Sequence, residues 1–151
     1  MRSILPQFRR TFLATIMIAV TACGSDELTG PDGLGVARAR WADRGPSSYT
    51  ITIQRSCECL RESSGPVEVT VRDGVVTSRR YTYDSSEVSS SYALLFPSVD
   101  ELFRIVDNEL RRGTKLFELK FDAKLGYPTR VAIDNPAVDG PVTSVSNLRA
   151  Q

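Results

Sequence analysis

The chain has no histidine among its 151 residues. A protein without histidine cannot activate a serine or cysteine nucleophile through an imidazole base. It also lacks a common nitrogen ligand for metals and the side chain that most readily exchanges protons near neutral pH. Carboxylate, lysine and tyrosine chemistry remain open. We therefore expect a non-enzymatic protein, and we assign no catalytic residue, no metal ligand and no cofactor.

A strong excess of either charge is also lacking. The chain has 19 lysine and arginine residues against 18 aspartate and glutamate residues. Three of the arginines, Arg2, Arg9 and Arg10, lie within residues 1–22, which contain no acidic residue. Subtracting these three from the 19 leaves 16 basic against 18 acidic residues, a net charge of about −2 for the rest of the chain. Nucleic-acid-binding domains are usually strongly basic, so we expect no nucleic-acid partner.

The apolar run near the start of the chain is too short to cross a bilayer. Thr11–Val20 has ten residues, whereas a helix needs about 20 to span a hydrocarbon core of about 30 Å. A short apolar run after a basic start is typical of a secretory signal peptide. The run leads into V-T-A-C, which resembles the lipobox of bacterial lipoproteins. This resemblance implies cleavage between Ala22 and Cys23, so we predict a signal peptide over residues 1–22 and a lipid on the Cys23 sulfur.

The lipid on Cys23 would hold the protein on the outer side of a membrane. Two or more acyl chains anchor a protein firmly, at about 0.8 kcal/mol per buried methylene. Residue 24 is glycine and not aspartate, which by resemblance to lipoprotein sorting favours the outer membrane in a cell with two membranes. Gly24–Gly35 is rich in glycine. We therefore predict residues 23–35 to be the lipidated N-terminus and a flexible linker that spans roughly 20 Å.

Alternating apolar and polar residues predict an antiparallel sheet in the rest of the chain. In Tyr49–Arg55 the apolar residues occupy every second position, which is typical of a strand with one buried face. Val67–Arg72 alternates in the same way and leads into Asp73-Gly74, a pair that favours a type I′ hairpin turn. The return strand is polar and is expected near an edge. The predicted strands are Tyr49–Arg55, Val67–Arg72, Val75–Tyr83, Lys115–Phe121, Thr129–Asp134 and a short Val142–Ser146.

One helix is clearly marked in the sequence. Ser98 and Glu101 form a capping box, and the apolar residues that follow lie on one face, which predicts a helix over Ser98–Arg112. A weaker pattern predicts a short helix over Val36–Asp43. We expect residues 36–149 to form one small α+β domain. Its fold would be an antiparallel sheet of about five to six strands with one main helix packed on one face.

Two further cysteines, Cys57 and Cys59, are separated by one residue. Export places them in an oxidising compartment, where a local disulfide that stiffens the strand end is the favoured interpretation. Cysteines two apart in a regular strand are near the upper limit of Cα spacing for a bridge, so we expect a bulge or turn at Glu58. Two alternatives remain open, a redox-active pair and a thiolate site for a soft metal such as copper(I). Arg55 and Arg61 flank the pair and would favour a thiolate.

Four segments carry a likeness to a known family: Tyr49–Cys59 (YTITIQRSCEC), Val67–Ser78 (VEVTVRDGVVTS), Ser98–Leu110 (SVDELFRIVDNEL) and Leu125–Leu148 (LGYPTRVAIDNPAVDGPVTSVSNL). Together they resemble the bacterial exported domain called domain of unknown function family 6174. The C-x-C after a tyrosine-led strand and the G-Y-P-T strand are the most specific parts, and the likeness covers about residues 41–149. It implies an extracytoplasmic lipoprotein domain, and it implies no activity and no catalytic residue.

Three functions are open to such a protein. The leading hypothesis is a non-enzymatic envelope lipoprotein whose small domain binds or supports another envelope component. The alternative is a thiol-redox or soft-metal-handling lipoprotein that acts through Cys57 and Cys59. The third, a receptor for a small ligand, requires a pocket between the sheet and the helix.

Overall fold

A computed structural model describes residues 29–133 and 140–151, except for the side chain of Phe117. The predicted signal peptide, the cleavage site at Ala22, the lipidation site at Cys23 and the first part of the linker lie outside the described residues, as does the loop 134–139. Within the described part of the chain, no helix is both long and apolar enough to cross a membrane.

Six strands within the described residues pair into one antiparallel sheet. They are β1 (Tyr49–Ser56), β2 (Val67–Arg72), β3 (Val75–Tyr81), β4 (Leu116–Phe121), β5 (Pro128–Ile133) and β6 (Val142–Ala150). The strand order is β3-β2-β1-β6-β5-β4, so the first and last strands of the chain are neighbours at the centre. β6, expected only over Val142–Ser146, runs to Ala150 because it pairs with β1 along nearly the whole length of that strand. Only Val145 of β6 is buried, so its own sequence pattern is a weak indicator of that length.

The hairpin between β2 and β3 forms as predicted. Asp73 and Gly74 have φ of 48° and 78°, the positive values that a type I′ turn requires. β3 lies at the edge of the sheet, as its polar sequence indicated. It ends at Tyr81 instead of Tyr83, because a turn closed by the hydrogen bond from the Ser85 N–H to the Tyr81 carbonyl redirects the chain.

The first helix, α1 (Gly30–Arg44), begins six residues before the predicted Val36. Residues 30–35 were expected to be the end of the flexible linker, and that expectation is wrong because they are helical. Pro31 suits the first turn of a helix, where its missing N–H leaves no hydrogen bond unmade. The linker prediction therefore applies at most to residues before Thr29, which lie outside the described residues.

Three buried residues on one face hold α1 against the sheet: Leu34, Ala37 and Trp41. The ring of Trp41 packs edge-on against Tyr49 of β1, with centroids 5.5 Å apart, and its indole N–H donates to Asp100 (3.0 Å). Burial of a leucine contributes roughly 2 kcal/mol, and each glycine inside a helix costs roughly 1 kcal/mol. Burial of Leu34 therefore offsets the cost of Gly33 and Gly35. Tertiary packing therefore decides where this helix begins.

Two more helices follow, the single turn α2 (Arg61–Ser64) and the long α3 (Val99–Arg111). The capping box predicted for α3 is confirmed. The hydroxyl of Ser98 accepts from the Glu101 N–H (3.2 Å), and the Glu101 carboxylate accepts from the Ser98 N–H (2.8 Å). These bonds satisfy backbone donors that would otherwise be unpaired at the start of the helix.

Both long helices cover the same face of the sheet. The N–H of Val99, at the start of α3, donates to the hydroxyl of Tyr49 (3.1 Å), and the same tyrosine ring contacts Trp41 of α1. Phe103 of α3 stacks on Phe121 of β4 with centroids 6.3 Å apart. The predicted α+β domain is confirmed, and α1 adds a second helix beside the expected main one.

Replacing Tyr49 with phenylalanine should lower the free energy of unfolding by about 1–3 kcal/mol at neutral pH, because the buried Val99 N–H loses its acceptor. Burial also raises the pKa of Tyr49 to about 12. On raising the pH, the unfolded chain therefore loses the phenol proton first, near the ordinary pKa of about 10. This contribution to stability is complete below about pH 10 and is lost between about pH 10 and 12. Denaturant unfolding of both proteins at neutral pH and at about pH 11 measures both effects.

The exposed Tyr83 provides the matched control for this substitution. Removing its hydroxyl should change the free energy of unfolding by less than about 0.5 kcal/mol. Equal stability of Tyr49→Phe and the wild-type protein at neutral pH would contradict the role assigned to the buried hydroxyl.

Candidate functional site

The first candidate site is the loop that carries Cys57 and Cys59. After β1 the chain bends over residues 57–59, and α2 follows. The structure joins the two cysteines by a disulfide, with their Cα atoms 5.3 Å apart. In a regular strand, Cα atoms two residues apart are separated by about 6.6 Å. The bend at Glu58, which the sequence predicted, brings the two Cα atoms closer together. Cys57 is half-buried and Cys59 is exposed, which places the pair at the protein surface.

Three side chains of the sheet brace this loop through backbone carbonyls of α2. The bonds run from Arg55 Nη1 to Ser63 (2.7 Å), from Gln54 Nε2 to Ser64 (3.2 Å) and from Tyr81 Oη to Glu62 (2.7 Å). Burial lowers the pKa of the Arg55 guanidinium. The donors belong to β1 and β3, so the cysteine loop is fixed to two strands at one end of the sheet.

The two arginines that flank the cysteines are engaged in other contacts. The Arg55 guanidinium donates a hydrogen bond to the Ser63 carbonyl of α2. The guanidinium of Arg61 lies 3.7 Å from the ring centroid of Tyr83, and this ring stacks on Tyr81 with centroids 5.1 Å apart. A cation–π contact at an exposed site contributes about 0.5–1 kcal/mol. Both guanidiniums thus stabilise the fold of the loop. This contribution is separate from the stabilisation of a cysteine thiolate that the sequence suggested for them.

The described residues contain no group of three or more histidine, cysteine, aspartate or glutamate side chains that could hold a metal ion. Soft metals bind thiolates, and two sulfurs joined to each other offer none. A metal site in the cysteine loop would therefore require reduction of the disulfide and ligands beyond this pair.

The second candidate site is the face of the sheet opposite the two long helices, which we call the open face. Residues directly opposite one another in antiparallel strands share a face, so the strand register groups most of the side chains of the open face into three rows. The rows are Arg149-Thr50-Thr70-Ser78, Ser146-Thr52-Glu68-Arg80 and Lys120-Arg130-Ser144-Gln54.

The open face is mostly polar and has more cations than carboxylates. Its rows hold six hydroxyls and one amide, and none of their members is aromatic. Arg72 lies two residues after Thr70 on β2, and Glu118 lies two residues before Lys120 on β4, so these two side chains also lie on this face. Their partners across the sheet are mostly apolar: Val75 is opposite Arg72, and Glu118 shares a row with Ala132, Val142 and Ser56. In total, five cations stand against two carboxylates: Arg72, Arg80, Lys120, Arg130 and Arg149 against Glu68 and Glu118.

Several charges on or beside the open face are paired. Glu118 accepts from Arg130 and lies 2.9 Å from the Lys120 ammonium. The pKa of the Glu118 carboxyl is lowered, mainly by the hydrogen bond from Arg130 and next by the one from Lys120. Arg80 pairs with Glu87 of the adjoining loop (3.2 Å). The sequence did not predict this surface. It shows which residues of each strand are polar, but their grouping on one face depends on the order of the strands in the sheet.

Two of the depressions on the surface of the described residues are smaller than a typical small-molecule pocket. One, of about 180 Å³, lies beside the edge strand β3; the other, of about 250 Å³, lies against α3. Typical ligand pockets have about 300–1,000 Å³. Neither depression is lined by both the sheet and a long helix, so these two do not support the small-ligand hypothesis. Their lining includes Val76, Thr77, Arg79 and Val88 in the first, and Leu94, Pro97, Arg104 and Ile105 in the second.

A protein-family model described as a family of unknown function (DUF6174) matches residues 33–150. No curated protein and no solved structure matches the chain. The matched range contains all six strands, α3 and most of α1. The resemblance drawn from four sequence segments is thereby confirmed for the domain.

Proposed function

The chain belongs to the DUF6174 family, and from its own residues we propose that it is a lipid-anchored, extracytoplasmic lipoprotein of the cell envelope. Its small domain acts as a non-enzymatic binding or structural module. The observation that carries this proposal is the open face. Six strands about 4.8 Å apart make a mostly polar surface about 24 Å wide, and such a surface suits contact with a large neighbour better than enclosure of a small molecule.

The location rests on the leader sequence. A basic start, a ten-residue apolar run and V-T-A-C precede Gly24. In this proposal the leader is cleaved between Ala22 and Cys23, and the Cys23 sulfur carries the lipid that holds the protein in the envelope. Gly24 after the lipid site supports the outer membrane where a cell has two membranes.

The direct test is the intact mass of the protein purified from a membrane fraction. The expected mass lacks residues 1–22 and includes a lipid adduct on Cys23. A mass without lipid would overturn the location. Turnover of any substrate by the purified protein would overturn the non-enzymatic part of the proposal and leave the location standing.

The surface position of the disulfide supports a second candidate function. A thiol-redox lipoprotein would exchange the Cys57–Cys59 disulfide with a dithiol partner. A partner thiolate attacks one sulfur to form a mixed disulfide, and the other cysteine leaves as a thiolate. The second thiolate of the partner then attacks the mixed disulfide, which leaves the partner oxidised and both cysteines reduced. A soft-metal carrier would use the same pair after reduction. The half-exposed position of the loop makes the sulfurs accessible to either reaction.

Replacing both Cys57 and Cys59 with serine distinguishes the two functions. If the disulfide is structural, the double variant should lose about 1–2 kcal/mol of unfolding free energy, because the closed loop is very short, and it should otherwise behave as the wild-type protein. Thermal or denaturant unfolding measures the loss, and alkylation of the wild-type cysteines with and without reductant reports their accessibility. Rapid alkylation under mild reduction, or a metal retained on purification, would favour the second function.

A further inference from the structure

We propose that the open face lies against the anionic phospholipid headgroups of the membrane that holds Cys23. The inference rests on the proposed lipid anchor and adds a second, electrostatic contact with the same membrane. It predicts that the domain has a defined orientation, with α1 and α3 directed away from the bilayer.

The point where the chain enters the domain sets the distance to the membrane. Thr29 forms a β-bridge with Lys120 at the β4 edge of the sheet, so the described part of the chain begins at the margin of the open face. Residues 24–28 separate Cys23 from Thr29. A fully extended chain spans at most about 3.5 Å per residue, so this edge lies within about 20 Å of the lipidated residue. The membrane surface is therefore close enough for contact.

Charge selects the face that is directed toward the bilayer. On the other side of the sheet, the two long helices, with the C-cap Arg112 of α3, carry six basic and six acidic residues, and Arg79 of β3 pairs there with Glu101. The open face carries five cations against two carboxylates, or against three when Glu87, the loop residue that pairs with Arg80, is included. Arg72 and Arg149 are exposed and make no ion pair within residues 29–133 and 140–151. An anionic surface attracts the face with the excess of cations.

The side chains of the open face also match the chemistry of a headgroup surface. Guanidiniums donate two parallel hydrogen bonds to phosphate oxygens, and the six hydroxyls of the rows donate further single bonds. The rows lack the aromatic side chains that enter the acyl region in membrane-inserting proteins. The face is therefore suited to rest on the headgroups, and its contact should weaken as salt shortens the range of charge interactions.

The native lysines report this contact without an introduced label. The chain has three lysines: Lys120 lies in a row of the open face, whereas Lys115 and Lys124 lie outside the rows. The mature lipidated protein is reconstituted into phosphatidylcholine vesicles, with or without about one-third phosphatidylglycerol. Acylation of each lysine by an amine-reactive ester is then followed by mass spectrometry. We expect the Lys120 rate, relative to Lys124, to fall about fivefold on anionic vesicles and to recover in about 1 M salt.

Two charge-reversal variants make the test specific. Arg72→Glu with Arg149→Glu should restore the Lys120 rate on anionic vesicles. Arg104→Glu with Arg111→Glu changes the net charge equally on the helix side and should leave the protection in place.

The outcomes separate the anchor from the orientation. Vesicle flotation without Lys120 protection would overturn the docking and leave the lipid anchor intact. Failure to float would overturn the anchor and this inference together. If Lys120 is protected from acylation only when a soluble polyanion is added, the open face binds an anionic polymer and the assignment to lipid is overturned.

Discussion

Replacing Gly126 with alanine should lower the free energy of unfolding by about 3 kcal/mol or more. Gly126 ends the turn between β4 and β5 with a φ of +83°, and a Cβ atom there would collide with the carbonyl oxygen of Ala37 in α1. It would also lie 3.0 Å from the Ala37 carbonyl carbon and from Cβ of Arg40. Backbone strain and steric collision therefore add, because the helix would have to move away from the turn. Denaturant unfolding gives the change in free energy.

Gly113→Ala is the control that separates the two costs. Gly113 has a similar φ of +75°, and a Cβ atom there would have no neighbour within 4 Å. This variant should lose only the left-handed backbone penalty, about 1–2 kcal/mol. Equal losses in the two variants would show that α1 does not pack closely on the turn.

Replacing Cys23 with serine should abolish acylation completely and leave the leader attached. The hydroxyl of serine cannot form the thioether that holds the diacylglyceryl group, and in bacterial lipoproteins the peptidase cuts after that group has been added. The variant should therefore accumulate as a precursor that retains residues 1–22. Metabolic labelling with a fatty acid and intact mass measure the two effects in the same cells.

Cys57 and Cys59 provide the control for Cys23, the proposed anchoring cysteine. Serine at either position removes one sulfur as Cys23→Ser does, and the protein should still be labelled and processed. Fatty-acid label that persists in Cys23→Ser would place the lipid on another residue and contradict the proposed anchor.

The sequence was sufficient for the elements whose cause is local. Strict alternation identified β1 and β2, because side chains of a strand point to opposite faces in turn. The Asp73-Gly74 turn and the capping box of Ser98 and Glu101 were equally clear, because each depends on backbone conformations or hydrogen bonds within a few residues. The bend between Cys57 and Cys59 was expected from the reach of a disulfide. These features need no knowledge of the rest of the fold.

The start of α1 and the length of β6 required the tertiary structure. Residues 30–35 have a composition typical of a linker, and they are helical because Leu34 finds a buried position against the sheet. The pattern of Val142–Ala150 is weak, and its length follows from pairing with β1, which lies about 90 residues earlier in the chain. In both segments the partner is distant in sequence, and its position decides the conformation.

The open face shows the same division for the candidate site. The sequence by itself determined which residues are polar and which positions alternate, because side-chain chemistry and the period of a strand are local properties. Only the tertiary structure decided that Arg149 stands beside Thr50, or that both long helices lie on the other side of the sheet. Strand order and helix placement arise from burial of apolar surface shared by the whole chain. The grouping of charges on the open face is a consequence of that packing.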